Sequence, residues 1–505
     1  MLKYIRVVLA VLSILALTFM FLDFTGLAAR WLDWLPKMQL IPALLAVNFL
    51  AVAFLAVITY LFGRIYCSVI CPLGIFQDFV IRVRSLFASK RKKKVGLFRY
   101  TPANSRLRYG FLIGFCILLA LGLTGMIATS IAGILDPYSA YGRMVGQFVV
   151  PGWRAGVEAV ADKAAEGGHY LIAGVPAVAP WSLAVTIVAV VTLLVVVGFS
   201  ATKGRGYCNN ICPVGTILGF LSRYSFFKIN IDKSKCNRCG SCGRHCKSEC
   251  IDTKNHKIDY SRCVACMDCI GACSQGAISF SRVRSKSAEA PAGSDASRRA
   301  FLAGVAVAGA TLAANAAEKT TDGGFAPLKK KRPHKKNQAP VPAGAISLEH
   351  LSRHCTACQL CISECPNGVL KPSTKFDTFM QPTMEFTTGF CRPECTRCAE
   401  ICPAGAFHII TPEEKTSIKI GTAKVNVKTC ISAAFGQHCG NCERHCPTEA
   451  ITMVEVDGRL RPVVDETRCI GCGSCEYHCP SGTAGQLSAK TAAIYVEACD
   501  VHQTI

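Results

Sequence analysis

Cys236-Asn237-Arg238-Cys239-Gly240-Ser241-Cys242-Gly243-Arg244-His245-Cys246, with a second run at Cys263, Cys266, Cys269 and Cys273, decides the reading of this chain. Both runs have the form C-x2-C-x2-C-x3-C. Three close thiolates wrap one corner of a four-iron cubane, and the fourth, displaced by three residues, points to a neighbouring cluster. The spacing assigns Cys236, Cys239, Cys242 and Cys273 to one [4Fe–4S] cluster, and Cys263, Cys266, Cys269 and Cys246 to the other. Zinc would require CxxC pairs a dozen or more residues apart. A disulfide scaffold suits short secreted chains with irregular spacing. The proline that usually follows the fourth cysteine is Lys247 and Ser274 here, a departure that touches the local turn rather than the ligands.

Toward the C-terminus the pattern recurs four times. The groups are Cys355, Cys358, Cys361, Cys365; Cys391, Cys395, Cys398, Cys402; Cys430, Cys439, Cys442, Cys446; and Cys469, Cys472, Cys475, Cys479, each closed by a proline. The inner two stretch the first gap but keep C-x2-C-x3-C-P. Four more clusters are expected, six in all. Cys116, Cys250 and Cys499 stand outside every group. His245, His354, His438, His445 and His478 each lie just before a cysteine, as exposed turn residues would, and receive no role.

Toward the N-terminus lie four apolar stretches, at about 5–22, 41–62, 109–132 and 181–199. About 20 helical residues cross a hydrocarbon core. Segments such as LLAVNFLAVAFLAVITYLF lack the polar face of a buried soluble helix, so these are expected to be membrane helices. Residues 82–108 carry Arg82, Arg84, Lys90 to Lys94, Arg99, Arg106 and Arg108 with no acidic residue. Such a loop belongs in the cytoplasm. The net charge of +23 lies largely in such runs, so no nucleic-acid partner is expected. The first 168 residues contain no histidine, which excludes a bis-histidine haem from the membrane part. Asp136, in LDPYSAYGR, is the candidate carboxylate for a quinol site.

Gly63-Arg64-Ile65-Tyr66-Cys67-Ser68-Val69-Ile70-Cys71-Pro72-Leu73-Gly74 repeats as Gly204-Arg205-Gly206-Tyr207-Cys208-Asn209-Asn210-Ile211-Cys212-Pro213-Val214-Gly215. Each copy follows the cytoplasmic end of an apolar helix, which suggests pseudo-two-fold repeats. Proline favours the first helical position, so Cys71 and Cys212 fall at helix N-termini with an arginine upstream. That setting favours thiolates. Cys67, Cys71, Cys208 and Cys212 are therefore expected to meet at the cytoplasmic membrane face as one redox or metal site.

Ser297-Arg298-Arg299-Ala300-Phe301-Leu302 opens a twin-arginine pattern with a mildly apolar stretch and an Ala314-Asn315-Ala316 cleavage site. Twin-arginine signals direct export, so residues from about 317 onward are expected in the periplasm and the first cluster domain in the cytoplasm.

On these motifs residues 1–280 resemble the NapH-type membrane ferredoxin, with a core similar to NosR and CcoG. Residues 297–500 resemble the NapG or MauM type. The resemblance implies an α-helical membrane bundle of four helices, with a fifth as signal anchor, and two α+β bacterial-ferredoxin-like domains. The expected boundaries are 1–225 for the bundle, 226–285 for the two-cluster domain, 286–345 for the linker and 346–505 for the four-cluster domain. The implied function is electron transfer in a bacterial inner membrane, from the quinone pool to a periplasmic reductase or small redox protein. A maturation or metal-handling factor and a conduit from cytoplasmic ferredoxin are the alternatives. The resemblance also implies that the outer two C-terminal groups exchange their fourth ligands with each other, as do the inner two.

Overall fold

The computed structural model describes residues 2–23, 25–87, 97–166, 182–282, 321–322, 326–327, 331–481 and 491–505. The twin-arginine segment, the Ala314-Asn315-Ala316 site and Lys90 to Lys94 lie outside the described residues.

The N-terminal half is a helical bundle of α1 (Leu2–Leu22), α2 (Phe49–Phe62), α3 (Pro72–Phe87), α4 (Ser105–Leu123), α5 (Pro137–Met144), α6 (Leu183–Lys203) and α7 (Pro213–Ser222), joined by shorter turns and, between α5 and α6, by the helix Val150–Glu166. Among the described residues, α1, α4 and α6 are long and apolar enough to cross a membrane. Two expected spans are interrupted. The stretch 41–62 divides into Leu40–Leu45 and α2, because Val47 turns left-handed (φ 53°) and the Asn48 side chain caps α2 by accepting the Ala51 N–H at 3.2 Å. The stretch 109–132 stops at Leu123, where Gly125 (φ 81°) supplies the left-handed residue that closes a helix.

The bundle is built twice. In the first copy, α3 packs on α1 and on α6 of the second. In the second copy, α7 packs on α4 and on α2 of the first. The last helix of each repeat is thus exchanged across the pseudo-two-fold. Between α2 and α3, and between α6 and α7, the chain dips inward through the single turns Tyr66–Val69 and Gly206–Asn210. Such broken backbone is tolerated at membrane depth only inside protein, and both turns are buried.

The first cysteine-rich domain closes with β1 (Phe227–Ile231) antiparallel to β2 (Ile278–Arg282), Phe227 facing Arg282. It sits at one end of the bundle, where Phe62 stacks on Phe227 (centroids 5.8 Å apart) and Lys3 pairs with Asp268 at 3.0 Å. The second domain contains the hairpins β3 (Leu370–Pro372) with β4 (Pro382–Met384) and β6 (Ile451–Val456) with β7 (Arg459–Val464). Its β5 (Ile418–Val425) pairs antiparallel with β8 (Ile494–Thr504). It sits at the other end, where the Thr129 hydroxyl donates to the Arg353 carbonyl at 2.6 Å and Arg397 donates to the Thr25 carbonyl at 2.6 Å.

Helix α1 links the two ends. Lys3 reaches the first domain, and Phe21, near the other terminus, lies beside Tyr138 under the second. Its 21 residues rise about 31 Å. Residues 331–345, expected as linker, belong to the second domain. Lys336 pairs at 2.8 Å with the buried Glu476, and His334 stacks on Tyr495 at 3.7 Å. A carboxylate as buried as Glu476 needs a cation, and this basic run supplies it.

Candidate metal centres

The cysteine loops are shaped by paired left-handed residues. Arg238 and Gly240 flank Cys239, Ala265 and Met267 flank Cys266, Ala357 and Gln359 flank Cys358, and Gly471 and Gly473 flank Cys472; all eight have positive φ. Positive φ is uncommon outside glycine. Its recurrence makes concave nests of backbone N–H groups, a feature of many iron–sulfur sites. Sequence spacing alone did not indicate Arg238, Ala265 and Ala357 as strained positions.

The thiols converge in fours. Cys236, Cys239, Cys242 and Cys273 line one small cavity. Cys246, Cys263, Cys266 and Cys269 line another. Cys365 joins Cys391, Cys395 and Cys398 around a third, and Cys479 joins Cys430, Cys439 and Cys442 around a fourth. Cys402 lies among Cys355, Cys358 and Cys361, and Cys446 among Cys469, Cys472 and Cys475. Each quartet offers four sulfurs around a small space, the donor set of a cubane.

These neighbours correct the expected exchange in the C-terminal domain. The first group trades its fourth cysteine with the second, and the third with the fourth. The physical reason is local: β3–β4 lies between the first and second groups and β6–β7 between the third and fourth, so each antiparallel pair folds one group back on the next.

Details around the sulfurs also emerge. Cys250 Sγ lies 3.5 Å from Cys246 Sγ and adds a fifth sulfur to that cavity. It occupies the place of Ala277 after Cys273 and Ala450 after Cys446, so an alignment of the runs could have found it. Lys415 donates to Cys391 Sγ at 3.2 Å. Burial opposes its charge, but the Cys391 and Cys398 sulfurs hold its pKa above the ordinary lysine value. His245, His354, His445 and His478 each turn Nδ1 to the carbonyl four residues back, at 2.9 Å.

The repeated motif brings Cys67, Cys71, Cys208 and Cys212 together, each 3% exposed and within electrostatic reach of the other three. They lie inside the bundle, not at its surface, because each inward turn carries its cysteines below the helix ends. Two arginines tie the copies together crosswise. Arg64 of the first donates to the Cys208 carbonyl at 3.2 Å, and Arg205 of the second to the Cys67 carbonyl at 2.7 Å. Gly74 and Gly215 leave room for this, since a Cβ at either would strike that carbonyl and that arginine. Cys212 caps α7, accepting the Gly215 N–H at 3.4 Å.

This four-thiol site lies between the two cysteine-rich domains. On one side Arg64 donates to the Ser261 carbonyl at 2.9 Å, just before Cys263. On the other, Tyr66 and Tyr207 adjoin Asp136, and the neighbouring Tyr138 adjoins Cys358, Cys361 and Cys402. Asp136 itself is 1% exposed and caps α5, accepting the Ser139 N–H at 2.9 Å and its hydroxyl at 2.6 Å. Asp78 gathers Arg6, Arg205 and Lys247 at 3.1, 2.8 and 2.7 Å. Burial opposes its ionisation, yet Arg205 and Lys247 hold the carboxyl well below the usual range.

The family described as a 4Fe-4S binding domain matches residues 44–96 and 185–234, and a 4Fe-4S dicluster domain matches 437–483. The chain is 26% identical over 267 residues to the ferredoxin-type protein NapH of Haemophilus influenzae, covering 51% of this chain and 72% of that one. It is 32% identical over 143 residues to the methylamine utilization ferredoxin-type protein MauM of Methylobacillus flagellatus, 26% of this chain and 59% of that one. The chain is thus similar to ferredoxin-type proteins of the NapH kind over its first half and of the MauM kind toward its C-terminus. An uncharacterized protein of Methanocaldococcus jannaschii is 40% identical over 75 residues, 15% of this chain and 30% of that one. The chain spans from under a third to nearly three quarters of these relatives. No solved structure matches it.

Proposed function

We propose that this chain is a transmembrane electron-transfer unit that takes electrons from quinol and delivers them to a periplasmic reductase or small redox protein, with six [4Fe–4S] clusters held by the six cysteine quartets. The observation that carries this reading is the seating of the two cysteine-rich domains at opposite ends of one apolar bundle. When bound, the clusters would supply one-electron carriers at both ends.

The protein's own groups set the conditions. The left-handed loops aim N–H groups inward, and the Ala357, Ala277 and Ala450 amides donate to Cys355, Cys273 and Cys446 at 3.3–3.4 Å. Hydrogen bonds to sulfur raise cluster potentials. A cleft between α1, α3 and the first domain has apolar walls from Val7, Val11, Ile75 and Phe79 and a polar end at Lys3 and Asp268. That combination suits a lipid-soluble quinol with a polar ring. Asp136, whose carboxylate is engaged in capping, suits it less. The twin-arginine pattern and the basic residues Arg82, Arg84, Arg106 and Arg108 support a periplasmic second domain and a cytoplasmic first one.

The test is anaerobically purified full-length protein mixed with a short-chain quinol, followed by visible bleaching and EPR. Reduction within seconds is expected. Clusters that dithionite reduces and quinol leaves oxidised would overturn the reading.

A further inference from the structure

The geometry points to a seventh [4Fe–4S] cluster, held inside the bundle by Cys67, Cys71, Cys208 and Cys212, two from each repeat. Three independent features support it, beginning with charge. Arg64 is fully buried, and among the described residues it has no carboxylate partner; its partners are Asn209, two backbone carbonyls and Cys67 Sγ at 3.8 Å. A buried cation without a counter-charge is costly. Thiolate ligands around a net-negative cubane would supply that counter-charge where Arg64 and Arg205 converge. Arg64 Nε and Arg205 Nη2 are buried there without hydrogen-bond partners, as is Gln77 Oε1, whose amide nitrogen donates to Cys208 Sγ at 3.0 Å.

The second feature is the backbone. Helices α3 (16 residues) and α7 (10 residues) both begin at the site, at Pro72 and Pro213. Two helices that restart after breaks in the chain thus bring their positive N-terminal ends to the four thiols, the arrangement that binds anionic groups within bundles. The third is the family match: the 4Fe-4S binding family matches the two segments in which these pairs are the only cysteines. A cluster here would supply a redox centre between the two domains, where roughly 30 Å of hydrocarbon would otherwise separate the carriers.

The inference rests on the proposed function only for the cluster's role, and its test counts atoms. Iron and acid-labile sulfide are measured on anaerobically reconstituted full-length protein, with Mössbauer spectra of ⁵⁷Fe-grown material. About 28 of each per chain are expected, against about 24 for six cubanes. The C67S/C71S/C208S/C212S variant should lose about four of each, while Cys116→Ser and Cys499→Ser lose none. A monodisperse quadruple variant with unchanged iron would overturn the proposal. If that variant aggregates, the wild-type count decides: 24 iron atoms, or one zinc or copper ion that accompanies 24, sinks it. Failure of quinol to reduce the protein would leave this count untouched.

Discussion

Gly74 and Gly215 show how finely the centre of the bundle is packed. A methyl group at either would overlap the opposite copy's arginine and its own copy's cysteine carbonyl. Gly74→Ala and Gly215→Ala should each destabilise by about 1–3 kcal/mol, the usual cost of overpacking, and lower the Tm in detergent. Gly110→Ala, which meets open space, should be neutral or stabilise by about 0.5–1 kcal/mol. A second residue-scale effect concerns His502. Burial lowers its pKa below the ordinary 6.5, although its hydrogen bond to the Ala343 carbonyl partly opposes this. The unfolded chain therefore binds the proton more readily. This contribution is present above about pH 6.5 and is lost as pH falls toward the lower folded value. Thermal unfolding at pH 5.5 and 7.5 should show a shallower pH slope in His502→Gln than in wild type. The grouping of the first domain's cysteines into two quartets was legible in the spacing, since a cubane demands three close thiolates and one remote. Arg64 and Arg205 were visible in the repeated motif, but their crosswise bonds were not, because nothing in a linear repeat says which copy an arginine faces.

At the level of elements, the ion cluster on Asp78 joins α1 through Arg6, the second inward turn through Arg205 and the first cysteine-rich domain through Lys247. Asp78→Asn leaves the fully buried Arg205 without its carboxylate. Removing one partner of a buried pair costs about 3–5 kcal/mol, and the partial exposure of Asp78 places the expected loss at the lower end of that range. A fall in Tm, with faster proteolysis between the bundle and the first domain, is the expected result. The helices were legible from their apolar length, their breaks less so. An apolar run such as 41–62 conceals the Asn48 cap, because hydropathy averages over the one polar residue that restarts the helix. The exchange of fourth ligands in the C-terminal domain was illegible for a related reason: it depends on which hairpin folds back on which loop, and no ligand spacing encodes that.

Over the whole molecule, the arrangement predicts the sidedness of its two ends. Protease added to intact spheroplasts should cleave the second domain and spare the first, and protection of both until lysis would show that they share a compartment. The two-ended plan itself was legible only as an expectation from the twin-arginine pattern, which lies outside the described residues, whereas the docking contacts come from residues scattered along the chain. Those contacts have a mechanical consequence. A lone membrane helix meets a thinner bilayer by tilting, but α1 is tethered near both termini, by Lys3 to Asp268 and by Phe21 beneath the second domain. It acts as a strut of about 31 Å, so a lipid with the wrong acyl length must either deform around it or pull one domain from its seat. Stability in nanodiscs should therefore peak at one chain length and fall for both shorter and longer lipids.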